Sequence, residues 1–327
     1  MNDEDIESAI RDACRAASWP APQRFWRSRG AVSLVGSAEL GLAVPLQFGA
    51  TTAALPRSDH VISVMALSGP HQVTQATIDE LQPDPAAVPH LTVGWALREA
   101  GFNIGGASFV THADLPVGSG AAAIVATASV TAKAFRDLNE LALSDDELAD
   151  AVQTALHAIG FAEVGRNLID ASLRCPSGTA LVRRSAAMLP EIVAFGLADA
   201  GLRVVIVDTR IRKAVVSARS TIVDSCAVGV ACDRAVRGDI RGIGELMTAA
   251  TDSAIDPRQR TAILAVLRAG AWGARAVVDH TGRPIVALAE ASRVPDMRSA
   301  IIAEFHNQGW QPPRILTSAT LRRLDPQ

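Results

Sequence analysis

The stretch Asp114 to Val130, DLPVGSGAAAIVATASV, limits the folds open to this chain more than any other. A Gly-Ser-Gly turn runs straight into an Ala-rich helix, and GASFVTHA just before it reads as a strand. Strand, glycine turn and helix in that order leave unbonded backbone N–H groups at the positive end of a helix dipole, where an anion can dock. A plain glycine turn that caps a core helix is the other reading of the same residues. Elsewhere, LRVVIVDT (Leu202 to Thr209) is a continuous apolar run of the kind buried on both faces. Shorter β-type runs occur in AVSLVG, FGATTAAL, VISVM and PIVALAE. Ile6, Ile10 and Cys14 recur at helical spacing, as do Leu148, Val152, Leu156 and Ile159 behind a Ser144–Glu147 capping box. Further helices are expected near Leu91 to Ala100, Ile240 to Asp252 and Arg258 to Ala269. Strands and helices mixed without regular βαβ alternation predict an α+β fold.

Length and charge then narrow the function. A chain of 327 residues, 49% hydrophobic, can bury enough for two domains. A net charge of -3 and a pI near 6.2 argue against nucleic acid as a partner, which would call for a surplus of Lys and Arg on one face. Cys14, Cys175, Cys226 and Cys232 lack metal-ligand spacing and read as buried thiols of a reducing compartment. The acidic opening MNDEDIESAI has neither the basic nor the apolar part of an export signal, so a cytoplasmic location is expected. The most apolar run, Ala121 to Ala128, falls far short of the roughly 20 residues that span a membrane. It reads as a buried helix, and no membrane partner is expected.

Five stretches, in order, resemble the galactokinase branch of the GHMP kinase superfamily. RSRGAVSLVGSAELGLAVPL (Arg27 to Leu46) resembles the signature R-x-P-G-R-V-N-L-I-G-E-H-T-D-Y and the Leu-Pro strand after it. DLPVGSGAAAIVATAS resembles the phosphate loop P-x-G-x-G-L-S-S-S-A-A. LRVVIVDTRIRKAVVSARS resembles the strand and turn that end near Ser-x-Tyr-Asn. GIGELMTAATDS resembles G-E-L-M-x-x-S-H-x-S, and GAWGARAVVDHTGRPIVALAE resembles G-A-x-G-A-R-M-T-G-G-G-F-G-G-x-x-I-A-L. The resemblance implies a two-domain GHMP kinase fold, an N-terminal α+β domain over residues 27–195 and a C-terminal ferredoxin-like α+β domain over 196–327. Residues 1–26 are left as a helical extension. It also implies ATP with Mg2+ as cofactors and a sugar as the small-molecule ligand.

Carried over position by position, the resemblance assigns roles and marks departures. The family's catalytic Arg falls on Ala31, with Arg27 and Arg29 nearby as possible substitutes. Its sugar-binding Glu-His-x-Asp run falls on Gly36-Ser37-Ala38-Glu39, leaving Ser37 and Glu39 as substrate contacts. The family's Tyr falls on Ser220, and the chain contains no tyrosine. Gly118, Ser119 and Gly120 form the phosphate turn, but they pass directly into Ala121-Ala122-Ala123 where the family inserts Leu-Ser-Ser-Ser. The Gly-rich turn of the last motif falls on Val278 to Arg283, where Asp279, His280 and Arg283 are groups able to build a different site or simply a hairpin. NLIDAS (Asn167 to Ser172) resembles G-x-M-D-Q and puts Asp170 at the carboxylate that orients or deprotonates the sugar hydroxyl.

Each missing charge-stabilising contact is worth a few kcal/mol of transition-state energy. The expectation is therefore a galactokinase-like protein with eroded ATP and sugar motifs, a non-catalytic small-molecule binder or a repurposed enzyme. The alternative is an active sugar-1-kinase using Asp170 as base and Arg27 or Arg29 as the cation.

Overall fold

A computed structural model describes residues 3–37, 39–68, 73–84, 88–115, 120–162, 164–211, 225–249, 255–277 and 282–319. Gly118, Ser119, Ser220, Asp279 and His280 lie outside the described residues. In chain order the elements are α1 (Asp3–Ala16), β1 (Phe25–Gly36), β2 (Gly41–Arg57), β3 (Val61–Ala66), β4 (Val73–Thr77), α2 (Pro89–Glu99), β5 (Gly106–Ala113), α3 (Ala122–Leu138), α4 (Asp145–Ala158) and α5 (Arg166–Arg174). There follow β6 (Thr179–Arg183), β7 (Glu191–Ala194), β8 (Leu202–Asp208), α6 (Ser225–Val236), α7 (Ile240–Ala249), α8 (Pro257–Arg268), β9 (Gly273–Ala276), β10 (Ile285–Glu290), α9 (Val294–Asn307) and β11 (Arg314–Ser318). The mixture is α+β, as the irregular order of the sequence predicts.

The chain divides into two compact units that interleave along the sequence. The first takes Met1–Gly30, Phe48–Pro116 and Ala123–Leu173, and the second Ala31–Gln47, Val117–Ala122 and Arg174–Gln327. In the first unit the strand order is β4-β3-β5-β2, with β5 antiparallel to the second half of β2 and parallel to β3. Helix α1 starts with Asp3, Glu4 and Asp5 and ends near Arg15, charges that favour its dipole, and it buries Ile6, Ile10 and Cys14. Those three pack with Ala53, Leu55, Met65 and Val110 of the sheet, so helical spacing in the sequence becomes one side of a core. The capping box forms as read: the Ser144 hydroxyl accepts from the Glu147 amide, and the Glu147 carboxylate accepts from the Ser144 amide at 2.9 Å. Leu148, Val152, Leu156 and Ile159 behind it are all buried.

In the second unit the first half of β2 pairs with β6, which pairs with β7. A separate antiparallel sheet has the order β11-β8-β10-β9. Strand β8, the LRVVIVD run, lies between β10 and β11 and is almost entirely buried, because helices α8 and α9 supply Ala262, Val266, Met297, Ile301 and Phe305 to the core that its Val205 and Val207 enter. At the end of β11, Ser318 accepts from the Gln47 amide at 2.9 Å, and the Gln47 side chain accepts from Ala319 at 3.1 Å.

A buried polar chain crosses the first unit's core. His90 on α2 contacts Thr111 on β5 through Nε2 at 2.8 Å, and Thr111 contacts Thr52 on β2 at 2.7 Å. Thr52 donates to the Val110 carbonyl, so Thr111 donates to Thr52 and accepts from the imidazole. Nδ1 is then a bare acceptor with no partner, and burial pulls His90 down to about 3. Between that value and the unfolded value near 6.5, only the unfolded chain takes up the proton. The stability linked to His90 is thus complete above about pH 6.5 and is lost as pH falls toward 3, on the order of 5 kcal/mol across that window. Urea midpoints measured from pH 7 to pH 4.5 are expected to fall more steeply for the wild type than for His90→Gln; equal slopes would remove the imidazole as the cause.

Candidate functional site

Helix α5 carries the carboxylate that the sequence singles out. Its buried residues Asn167, Ile169, Asp170, Ala171 and Ser172 bring polar groups into the interior along with the apolar ones. Asp170 is 0% exposed, and its two oxygens accept from Arg166 Nε, one turn earlier, at 3.2 Å each. The i,i+4 spacing of Arg166 and Asp170 on one helix is what allows this contact. The other Arg166 nitrogens reach α4, to the Asp146 carboxylate at 2.8 Å and to Asp150. One guanidinium therefore faces three carboxylates, which satisfies a cation whose side chain is only 15% exposed.

The same helix is tied to β1. Ser172 Oγ donates to the Arg29 carbonyl at 2.6 Å, so the backbone of Arg29 is brought against the helix that bears Asp170. Arg27, two residues earlier, is engaged in the first unit: NH1 donates to Asp3 at 2.6 Å and to Thr51, and NH2 donates to Asp114 at 3.3 Å. Asp114 also accepts from the Gly49 amide, so the residue opening the glycine-turn stretch serves as a strand clamp. Asn167 is buried with no protein partner for either atom of its carboxamide.

The remaining described candidates lie in the second unit. Between β1 and β2, Gly36 (φ 114°) and Gly41 (φ 126°) close a tight hairpin, where a Cβ on Gly36 would stand 2.1 Å from the Leu40 carbonyl oxygen. Ser37 Oγ accepts from the amides of Glu39 and Leu40, which commits its lone pairs to the turn, while Glu39 is exposed. Gly120, at φ 75°, precedes α3 in a conformation that suits glycine. Arg283 is half-buried; its carbonyl accepts from Thr209 Oγ1 at 2.7 Å, and its Nε is shielded without a partner.

Two of the resembling motifs meet in this unit through glycine. A Cβ on Gly273 would stand 1.7 Å from the Gly244 carbonyl oxygen, so α7 and β9 approach to a distance that only glycine permits. Thr248 accepts from the Ala274 amide at 3.2 Å. Arg275, next on β9, donates NH1 to the Gly36 carbonyl at 3.1 Å and more weakly to Leu34. Sequence reading passed over Arg166, Asn167 and Arg275. The signal for Arg166 was its helical spacing to Asp170, and Arg275 stood inside the quoted G-A-R motif. Among the described residues no group of His, Cys, Asp and Glu is arranged to hold a metal, and no helix is long and apolar enough to cross a membrane. Cys14, Cys175 and Cys232 are buried and form no disulfide with one another.

No family model matches the chain. A galactokinase of Streptomyces coelicolor is 28% identical over 218 residues, which cover 64% of this chain and 56% of that protein's own length. The crystal structure of Lactococcus lactis galactokinase complexed with galactose superposes with a TM-score of 0.80 at 18% identity, covering 96% of this chain and 97% of that one. Methanococcus jannaschii mevalonate kinase superposes with a TM-score of 0.64 at 12% identity, over 91% of this chain and 98% of that one. The fold is that of the GHMP kinases. In sequence the chain is similar to galactokinases over that part of its length.

Replacing Asp170 with Asn tests the weight of the ion pair. Arg166 would keep Asp146 and Asp150, so the expected loss is about 3 kcal/mol, the low end for breaking a buried pair. Urea denaturation reads it directly, and a loss under about 0.5 kcal/mol, the scatter of ordinary surface changes, would mean that the contact adds nothing.

Proposed function

We propose that this chain is a galactokinase-like protein that no longer carries out conventional ATP-dependent sugar phosphorylation and instead binds a sugar-like small molecule, as a non-catalytic binder or as a repurposed enzyme. The burial of Asp170 carries this reading. A general base must reach the proton that it removes within hydrogen-bond distance, yet this carboxylate is 0% exposed and both its oxygens face Arg166. The cation that the family sets after Pro-Gly is replaced by Ala31, itself 1% exposed. Phosphoryl transfer depends on positioning and on charge around the moving group, so loss of the cation and of access to the base strikes at both requirements.

The cofactor reading follows the same line. ATP and Mg2+ would supply the phosphoryl group and its charge neutralisation. For them the sequence offers the Gly118-Ser119-Gly120 stretch ahead of α3, with Ser119 as its single hydroxyl. Amides at a helix start fit an anion; the missing Leu-Ser-Ser-Ser leaves little to hold magnesium. Ser37, Glu39 and Ser220 remain the candidate contacts for the sugar-like ligand, while Asp279, His280 and Arg283 are the groups available to a different chemistry.

One observation favours an active sugar-1-kinase: the Ser172 bond to the Arg29 carbonyl draws β1 against α5, where a substitute cation has to be. Isothermal titration of the protein with Mg-ATP, with and without galactose, separates the readings. The expected result is no heat at millimolar nucleotide and no sugar 1-phosphate formed. Micromolar binding that galactose strengthens would establish the kinase, and nucleotide at 100 times such a dissociation constant would add about 2.7 kcal/mol to stability.

A further inference from the structure

The second unit contains a cavity of about 380 Å³ that is lined by none of the residues assigned to phosphate or sugar. It opens where α7, the turn between α8 and β9, and the corner between β10 and α9 come together. Helix α7 supplies Arg241, the turn supplies Trp272, and the corner supplies Glu290 and Arg293. Its volume is in the range of small-molecule sites. Glu245 also lines it, but that residue belongs to the G-E-L-M stretch of the family and is met by Arg234 at 3.5 Å, so it says nothing of a ligand.

Two opposite charges face this cavity without meeting. Among the described residues no carboxylate lies within ion-pair reach of Arg241, although Glu245 stands four residues along the same helix, a spacing that favours pairing. The Arg241 guanidinium lies instead over the Trp272 ring, 5.7 Å from its centroid. Such a contact holds a cation in place without neutralising it. Glu290 has no cationic partner among the described residues, and its side chain does not cap the short helical turn that begins beside it. Arg293, its neighbour, is turned to Asp296 at 3.8 Å. Arg241 and Glu290 are both exposed, and Trp272 keeps part of its surface open. A concavity with one unpaired cation, one unpaired anion and an aromatic surface is complementary to a molecule that carries both charges and an apolar group.

We infer that this cavity binds a free α-amino acid, with its carboxylate on Arg241, its ammonium on Glu290 and its side chain against the open part of the Trp272 ring. A guanidinium suits a carboxylate because it offers two parallel N–H donors. Other small molecules match the wall less well. A nucleotide or a sugar phosphate brings only negative charge and sets it beside Glu290 and Glu245, and a neutral sugar leaves Arg241 and Glu290 unpaired. The site goes beyond the proposed function and stands whether or not the chain transfers phosphate, since it shares no residue with the candidate kinase machinery.

The experiment is a calorimetric and tryptophan-fluorescence titration of the full chain with L-leucine, L-phenylalanine, N-acetyl-L-leucine, which lacks the cation, and L-leucinamide, which lacks the anion. L-leucine or L-phenylalanine is expected to bind at millimolar concentration or below, more weakly at high salt. Each one-charge derivative is expected to bind on the order of 10-fold more weakly than L-leucine, as for loss of a charged hydrogen bond. Arg241→Gln and Glu290→Gln are each expected to lower amino-acid affinity by a similar factor and to leave the unliganded Tm unchanged, because both side chains are exposed. In Trp272→Phe the fluorescence change is expected to vanish, which assigns it to this cavity and not to another tryptophan. No binding of either amino acid at millimolar concentration, equal affinity for a derivative that lacks one charge, or unchanged affinity in either charge variant would overturn the inference.

Discussion

The arrangement around Asp170 depends on the charge carried by Arg166. That guanidinium reaches two carboxylates on α4 and one on its own helix, so α4 and α5 are joined by a cation that neither can release without leaving acids unpaired. The pairing compensates the desolvation of Asp170 and fixes α5 in rotation. From there the Ser172 bond to the Arg29 carbonyl sets the helix against β1, and Arg27 in turn ties β1 to α1 and to Asp114. A chain of polar contacts, charge-assisted at both ends, thus runs from α4 to α1 inside the first unit.

Much of this architecture was legible in the sequence, because the features that show in a sequence are local. Ile6, Ile10 and Cys14 announced α1; Ser144 and Glu147 announced the start of α4; LRVVIVDT announced a strand buried on both faces. Each rests on periodicity or on a contact within four residues. What could not be read was whatever depends on pairing across the chain. FGATTAAL looked like a short strand of its own, yet β2 runs unbroken from Gly41 to Arg57 through Pro45, because β6 and β5 take up its two halves. The short β6 and β7 carry too little pattern to be seen without their partners. At the site, Asp170 was found through a resemblance, but the state of its carboxylate was not. The spacing to Arg166 was visible, whereas Asp146 and Asp150 are far enough away in sequence that only the fold brings them in.

The two withdrawn arginines show why the state of a charge says more than its presence. Arg166 is surrounded by acids, whereas the more deeply withdrawn Arg275 faces carbonyl dipoles. Folding alone accounts for the first, since the pair replaces the water it excludes. It does not account for the second, since nothing in the described surroundings repays the loss of hydration.

Fold and chemistry therefore separate in this chain. The close approach of α7 and β9 at Gly244 and Gly273 and the turn at Gly36 and Gly41 are demands of backbone geometry, and any protein of this architecture that keeps those approaches must keep those glycines. Hydroxyls and charges on the surface carry no such backbone demand, so they can change while the scaffold stays. A TM-score of 0.80 at 18% identity shows how far a backbone can be held while most side chains differ.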